Sequence, residues 1–130
     1  MQDYIKYDED DLTKPIVITN KGLQRHAVNT LKGKIQSFTM KKWDHLWRLV
    51  TFDVEEKDRW KRDIFRKHLR RMNFFKLQKN IYIIPFAIEK EIEQFIKACK
   101  MRDNALTLHV ADLGKREKEV REYFLKLGKN

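Results

Sequence analysis

Residues 41–85 read KKWDHLWRLVTFDVEEKDRWKRDIFRKHLRRMNFFKLQKNIYIIP, and the order of patterns within this stretch decides the fold. An apolar run ending in an acid (Leu49, Val50, Thr51, Phe52, Asp53) predicts a strand over residues 47–53. Leu49 and Thr51 point one way and Val50 and Phe52 the other, with little polar character on either side, as in a central strand covered on both faces. A helix over residues 56–72 follows. Trp60, Ile64, Phe65, Leu69 and Met72 share the half of its wheel that faces the sheet. Arg59, Arg62, Arg66 and Arg70 share the opposite side with Lys67 near them, and Lys61 snorkels from the apolar half. Two strand segments, 74–77 and 81–86, close the stretch. Lys79-Asn80 between them is a tight turn or a bend in one long strand, and Pro85 argues for an edge position.

Outward toward the C-terminus, Ile92, Phe95, Ile96 and Cys99 recur at i, i+3, i+4 and i+7 and predict a helix over residues 88–101. A strand over 105–111 alternates Leu106, Leu108 and Val110 with Thr107 and His109. The order strand, helix, strand, strand, helix, strand is the split βαβ, α+β ferredoxin-like arrangement over residues 47–112. A further helix within 113–130 carries Val120, Tyr123, Phe124 and Leu127 as one stripe. Outward toward the N-terminus, residues 35–46 form a basic connector in which Lys34 at its border, Lys41 and Lys42 add charge. Its Ile35, Phe38, Met40 and Trp43 are docking points, and Trp43 and Trp47 pack it onto the sheet. Residues 1–34 read as a hairpin and a helix. The strands are Tyr4-Ile5 to Tyr7 and Pro15 to Thr19, an acidic connection joins them, and Thr19 or Asn20 caps the helix. Leu23, Ala27 and Leu31 lie on that helix and Gly33 stops it.

The 130 residues fit one domain with a small appendage, large enough for a core without staples. A single cysteine rules out a disulfide framework within the chain and suits a reducing, cytoplasmic setting. Nothing approaches the ~20 apolar residues of a membrane span, and the acidic, polar start is not a signal peptide. The net charge of +10 is the strongest compositional signal, and it favours a polyanion partner such as DNA or RNA. Between Glu55 and Asn80 there are ten Lys or Arg against four acids. The acids gather at the helix start, so the middle and end of the helix carry a nearly unbalanced cationic stripe. Arg59, Arg62, Arg66, Lys67, Arg70 and Arg71 are the candidate nucleic-acid contacts.

Trp47-Arg48-Leu49-Val50-Thr51-Phe52-Asp53-Val54, the basic helix after it, and Leu77-Gln78-Lys79-Asn80-Ile81-Tyr82-Ile83-Ile84-Pro85 together carry a resemblance. The chain resembles CRISPR-associated protein two in the variant found in the middle of PaaX-type transcriptional repressors, over residues 43–112. The resemblance implies a two-fold homodimer that handles nucleic acid. It places Asp53 where the nuclease relatives carry a metal-associated acid. The hairpin and helix of residues 1–34 resemble the wing and last helix of the winged-helix module that precedes this domain in the repressors. The helices that would read a groove do not precede Met1. The chain is then a fragment or has lost its reader, or the hairpin simply packs on the main domain. The helix within 113–130 departs from the nuclease relatives, which place an exchanged strand there.

A carboxylate at a strand terminus can hold Mg or Mn against a phosphate, with a two-fold axis supplying a second, so Asp53 is the candidate catalytic and metal residue. Against that, Glu55, Glu56 and Asp58 beside it are acids favoured by a helix start and need no further role. The repressor-type relatives carry the same Phe-Asp-Val without established cleavage. His26, His45, His68 and His109 are scattered, with no Cys/His metal grammar and no glycine-rich phosphate loop. His68 reads as a packed residue, and Cys99 as an inert buried thiol. The expectation is therefore a homodimer that contacts backbone phosphates without chemistry of its own and needs no cofactor. The alternatives are a Mg- or Mn-dependent endonuclease using Asp53, or a non-catalytic partner of the CRISPR integrase subunit.

Overall fold

The computed structural model describes residues 5–6, 17–18 and 20–128. β3 (Trp47–Phe52), β4 (Phe75–Gln78), β5 (Ile81–Ile84) and β6 (Ala105–Val110) form one antiparallel sheet in the order β4-β5-β3-β6. α2 (Arg59–Arg71) links β3 to β4, and α3 (Glu89–Ala98) links β5 to β6. This is the expected ferredoxin-like α+β arrangement, with β3 central and flanked on both sides. Lys79-Asn80 is a turn joining a β4–β5 hairpin, not a bend in one strand. The expectation that Pro85 marks an edge is overturned, because β5 lies inside the sheet and β4 and β6 are its edges. Pro85 follows the last residue of β5, so its missing N–H removes no ladder bond.

Cross-strand partners share a face, so the register sorts the side chains. Arg48, Val50 and Phe52 lie on one face with Ile84, Tyr82, His109 and Thr107 opposite them. The helices α2 and α3 cover this face. Phe52 meets Phe65 of α2 edge-on at 5.1 Å, and Phe65 stacks on Phe95 of α3 at 5.0 Å. The other face carries Trp47, Leu49, Thr51, Ile81, Ile83, Leu106 and Leu108. Only one end of it is covered, by α4 (Glu117–Leu127), whose Val120 and Phe124 are buried. The Trp47 indole donates to Glu117 Oε1 at 2.9 Å, and the Phe75 and Tyr123 rings meet at 5.2 Å. Leu106 and Leu108 remain 56% and 43% exposed.

The connector packs as expected: Trp43 and Trp47 are buried with ring centroids 4.5 Å apart, and Phe38 stacks on Phe86. β1 (Ile5–Lys6) and β2 (Val17–Ile18) pair antiparallel. The remainder of the expected hairpin, and a cap at Thr19, lie outside the described residues. α1 (Asn20–Gln36) buries Ala27 and Leu31 and packs along α3, but Leu23 is 42% exposed. Gly33 does not stop it; the helix continues one further turn, because a glycine ends a helix only where the chain turns into positive φ. α2 stops one residue and α3 three residues before the expected ends at 72 and 101. Asn73 and Lys100 take φ of 66° and 58°. The next amide donates back five residues in each case, Phe74 N–H to the Leu69 carbonyl and Met101 N–H to the Ile96 carbonyl. This is the Schellman closure, with Met72, Phe74 and Met101 all buried.

Candidate nucleic-acid interface

α2 holds seven cations and one acid in 13 residues. Phe65 and Leu69 anchor it to the sheet and fix the direction in which every other side chain points. The stripe Arg59, Arg62, Arg66 and Arg70 divides into two sets. Arg62 and Arg66 lie against the protein, with side chains only 15% and 17% exposed. Arg66 donates to Asn80 in the β4–β5 turn, and Asp63 sits 3.8 Å from both guanidinium groups. Their Nε atoms are covered and have no hydrogen-bond partner among the described residues. The remaining candidates stand outward: Lys67, Arg70 and Arg71 are exposed, and so is Arg59, which pairs with Glu56 at 3.1 Å. The helix turns them out because they lie on the side away from Phe65 and Leu69.

Trp60 was expected to face the sheet, and that reading is overturned. It is 61% exposed and Ile64 is 39% exposed. The buried stripe is Phe65 and Leu69, and Trp60, five residues before Phe65, lies about 140° round the helix from it, so the core stripe begins at Phe65 rather than Trp60. Trp60 therefore joins the outward ridge beside Arg59 and Lys67. Lys61 is half-buried, as its snorkelling position implies.

His68 is half-buried, with its ring edge-on to Phe95 at 5.9 Å. Burial holds its pKa below the usual histidine value, and the nearby Arg71 and Lys67 charges push it the same way. Cys99 is buried and its thiol is pushed up to about 12 by desolvation, which leaves no thiolate to react.

Asp53 is exposed just past the end of β3. Its backbone is fixed across the sheet: its N–H donates to the Asn104 carbonyl at 2.9 Å, and its carbonyl accepts from Asn104 Nδ2 at 3.1 Å. No group of three or more His, Cys, Asp or Glu that could hold a metal ion occurs among the described residues.

Two features had no sequence expectation. Arg48, on the helix-covered face of β3, is 2% exposed yet charged. It donates to both carboxylate oxygens of Asp44 at 2.7 Å, to Glu89 at 3.0 Å and to the Leu46 and Pro85 carbonyls. The Arg48 hydrogen bonds hold the Asp44 carboxyl down at about 2. For Glu89 burial pushes upward, but its own backbone N–H, Arg48 and His109 outweigh it and hold it below the usual range. The network ties the connector, the start of α3 and β6 to the central strand. The second feature is cationic: Lys21, Arg25 and Lys32 of α1 face α2 and add charge beside Arg71.

No helix among the described residues is long and apolar enough to cross a membrane. No curated protein and no solved structure matches the chain. The family model of the PaaX protein central Cas2-like domain matches residues 40–122. The matched span takes in the end of the connector, the whole four-stranded sheet and the first half of α4. With well over half of its residues matched and the expected sheet order in place, the chain belongs to the PaaX central Cas2-like domain family.

Proposed function

We propose that the protein binds nucleic acid through the outward ridge of α2, holding backbone phosphates with Lys67, Arg70 and Arg71 and performing no chemistry on them. The observation that carries this reading is the exposure of those cations on a helix whose one acid, Asp63, is engaged by Arg62 and Arg66. An unbalanced cationic ridge repels itself, and a polyanion relieves that repulsion. Arg62 and Arg66 support the field from behind without reaching a ligand directly. Trp60, on the same ridge, offers a ring on which an unpaired base can stack.

The protein acts as a homodimer. Support comes from the open end of the sheet, where Leu106 and Leu108 stand exposed opposite Thr51 and Leu49. The apolar stretch of residues 74–86 is not the source of that surface, since Phe74, Tyr82, Ile83, Ile84 and Phe86 are buried in the protomer's own core. Sedimentation at micromolar concentration should give twice the chain mass, and Leu106→Glu/Leu108→Glu should give the monomer.

Salt dependence tests the phosphate contacts. Each phosphate neutralised contributes about 0.9 to the slope of log affinity against log salt for duplex DNA, and about 0.7 for a single strand. Lys67→Ala/Arg70→Ala should lower affinity evenly across sequences and flatten the slope by about two for a duplex. An unchanged slope removes the ridge from the interface.

A further inference from the structure

The two outer strands of the sheet present different edges. At β4 the edge is blunted. Its ladder is irregular between Lys76 and Gln78, and Arg116 crosses it, donating to the Leu77 carbonyl at 3.2 Å with its guanidinium over the Phe75 ring. β6 has no such guard among the described residues. The Asp53 N–H donates to the Asn104 carbonyl. The register therefore turns the backbone groups of Leu106, Leu108 and Val110 toward β3, and those of Ala105, Thr107 and His109 outward. The Ala105 N–H is taken by the Met101 carbonyl at 2.8 Å. Among the described residues, the N–H and carbonyl groups of Thr107 and His109 have no hydrogen-bond partner. The strand itself carries no acid, lysine, arginine or proline, and its pairing with β3 has no bulge. An open edge of this kind is a template for a further strand.

We propose that β6 pairs antiparallel with β6 of a second copy across a two-fold axis at Leu108, doubling the four-stranded sheet. The inference rests on the proposed homodimer and gives that dimer its geometry. The Thr107 N–H then meets the partner's His109 carbonyl, and the His109 N–H meets the partner's Thr107 carbonyl. Symmetry repeats both bonds, which closes every open backbone group of the two residues. Moving the axis to Thr107 sets the partner's His109 carbonyl against an Ala105 N–H that is already bonded. On the open face Leu108 meets its own copy and Leu106 meets the partner's Val110, which covers part of the two exposed leucines. The flanks of the strand favour a second copy as well. Lys100, Arg102 and Asp103 precede β6 with a net positive charge, Asp112 follows it, and antiparallel pairing lays one start beside the other end. The axis stands perpendicular to the sheet, so α2 and α3 of both protomers lie on one side. Both cationic ridges face the same way, and one nucleic acid can cross the two. Packing the open faces together would instead turn the ridges to opposite sides.

Amide hydrogen exchange followed by NMR, beside sedimentation of the same samples, tests the pairing. Where the protein is dimeric, the Thr107 and His109 amides should be protected, and on dilution to the monomer they should exchange freely. The Leu106 and Leu108 amides, bonded to β3, should stay protected in both. Thr107→Pro removes only an outward N–H and should give a folded monomer. Leu108→Cys should join two copies through a disulfide, because Cα atoms at a non-hydrogen-bonded pair lie about 4.5 Å apart, within its reach. Thr107→Cys should stay unlinked, since its two copies stand diagonally across the axis at about 7–8 Å. Cys99 is buried and takes no part. A dimer whose Thr107 and His109 amides exchange freely overturns the edge pairing and leaves the homodimer standing on another surface. A monomer at micromolar concentration overturns both. A folded Thr107→Pro that remains dimeric also overturns the pairing, and if that variant does not fold, the exchange of the unaltered protein decides.

Discussion

Removing the Arg48 guanidinium should be among the costliest single changes in this protein. Arg48 is the one charged side chain fully buried among the described residues, and it makes five hydrogen bonds. Arg48→Met keeps much of the volume and removes all five. The partners then differ in what they lose. Asp44 and Glu89 are 47% and 37% exposed, so water can replace much of their lost bonding. The Pro85 carbonyl lies at a buried residue and accepts from Arg48 at 3.0 Å, so it is left unsatisfied. Breaking a buried ion pair from one side costs about 3–5 kcal/mol, and the half-exposed partners place this case near 3 kcal/mol. Against a typical domain stability of about 5–15 kcal/mol this is a large fraction, and it lowers Tm by roughly 10 °C. Urea unfolding followed by circular dichroism measures it, with the m-value expected to stay constant. Asp44→Asn, which leaves the Glu89 and carbonyl contacts in place, should cost about 1 kcal/mol. If Arg48→Met lies within 1 kcal/mol of the wild type, the network is not what joins the connector and α3 to β3.

The same network sets an acid limit. Asp44 is held at about 2 against an ordinary 3.8, so its contribution is full above pH 4 and is lost as pH falls toward 2. With half of the side chain in water, screening reduces it to about 1 kcal/mol; Arg48→Met should remove this part of the acid destabilisation. Gly33→Ala should stabilise by about 0.5–1 kcal/mol, because Gly33 lies inside α1 and an added Cβ meets nothing within 4 Å. Lys100→Gly should stabilise by up to about 1 kcal/mol by relieving a lysine held at φ 58°. Asp53→Asn should change stability by less than about 0.5 kcal/mol and leave nucleic-acid binding intact. DNA and RNA incubated with Mg or Mn should stay uncut by both proteins. Cleavage by the wild type that is lost in Asp53→Asn would instead establish the nuclease.

The fold was legible in the sequence because each core element carries its period in uninterrupted form. Ile92, Phe95 and Ile96 mark α3 whatever surrounds it, and Leu49 to Phe52 mark β3. What escaped depends on partners distant in the chain. Pro85 suggested an edge because proline is compatible with one, yet β5 is enclosed by β3 and β4, and no local pattern reports strand order. Arg48 carried no local signal, since its partners Asp44, Glu89 and the Pro85 carbonyl come together only after folding. The candidate interface divided for the same reason. Arg59, Arg62, Arg66 and Arg70 share one side of a helical wheel, but Arg66 bonds to Asn80 of the β4–β5 turn and Arg62 lies against the protein beside it. Trp60 fell at the margin of the apolar half of α2, but the buried stripe narrowed to Phe65 and Leu69 and left it on the far side.

The exposure of Trp60 is the feature of α2 that helix stability accounts for least. Arg70 and Arg71 sit in the last turn, where cations are favoured by the helix dipole by about 0.3–1 kcal/mol each. Arg59 is paired with Glu56, and Asp63 offsets part of the charge of Arg62 and Arg66. A tryptophan left 61% in water on the same ridge gains nothing from dipole or ion pair, while a stacked base contributes about 1–3 kcal/mol. The other two tryptophans, Trp43 and Trp47, are buried, so quenching of intrinsic fluorescence by added nucleic acid reports on Trp60. A single-stranded oligonucleotide should quench strongly, and a duplex of the same sequence weakly, because its bases are already stacked on one another. Trp60→Leu should abolish the quench and weaken single-strand binding about ten-fold, with the salt slope unchanged because no phosphate contact is lost. Duplex affinity should hardly move. If duplex and single strand weaken together in Trp60→Leu, the ring supports the position of the cations rather than a base. If the quench persists in the variant, the ligand lies elsewhere and the ridge is a solvated helix face.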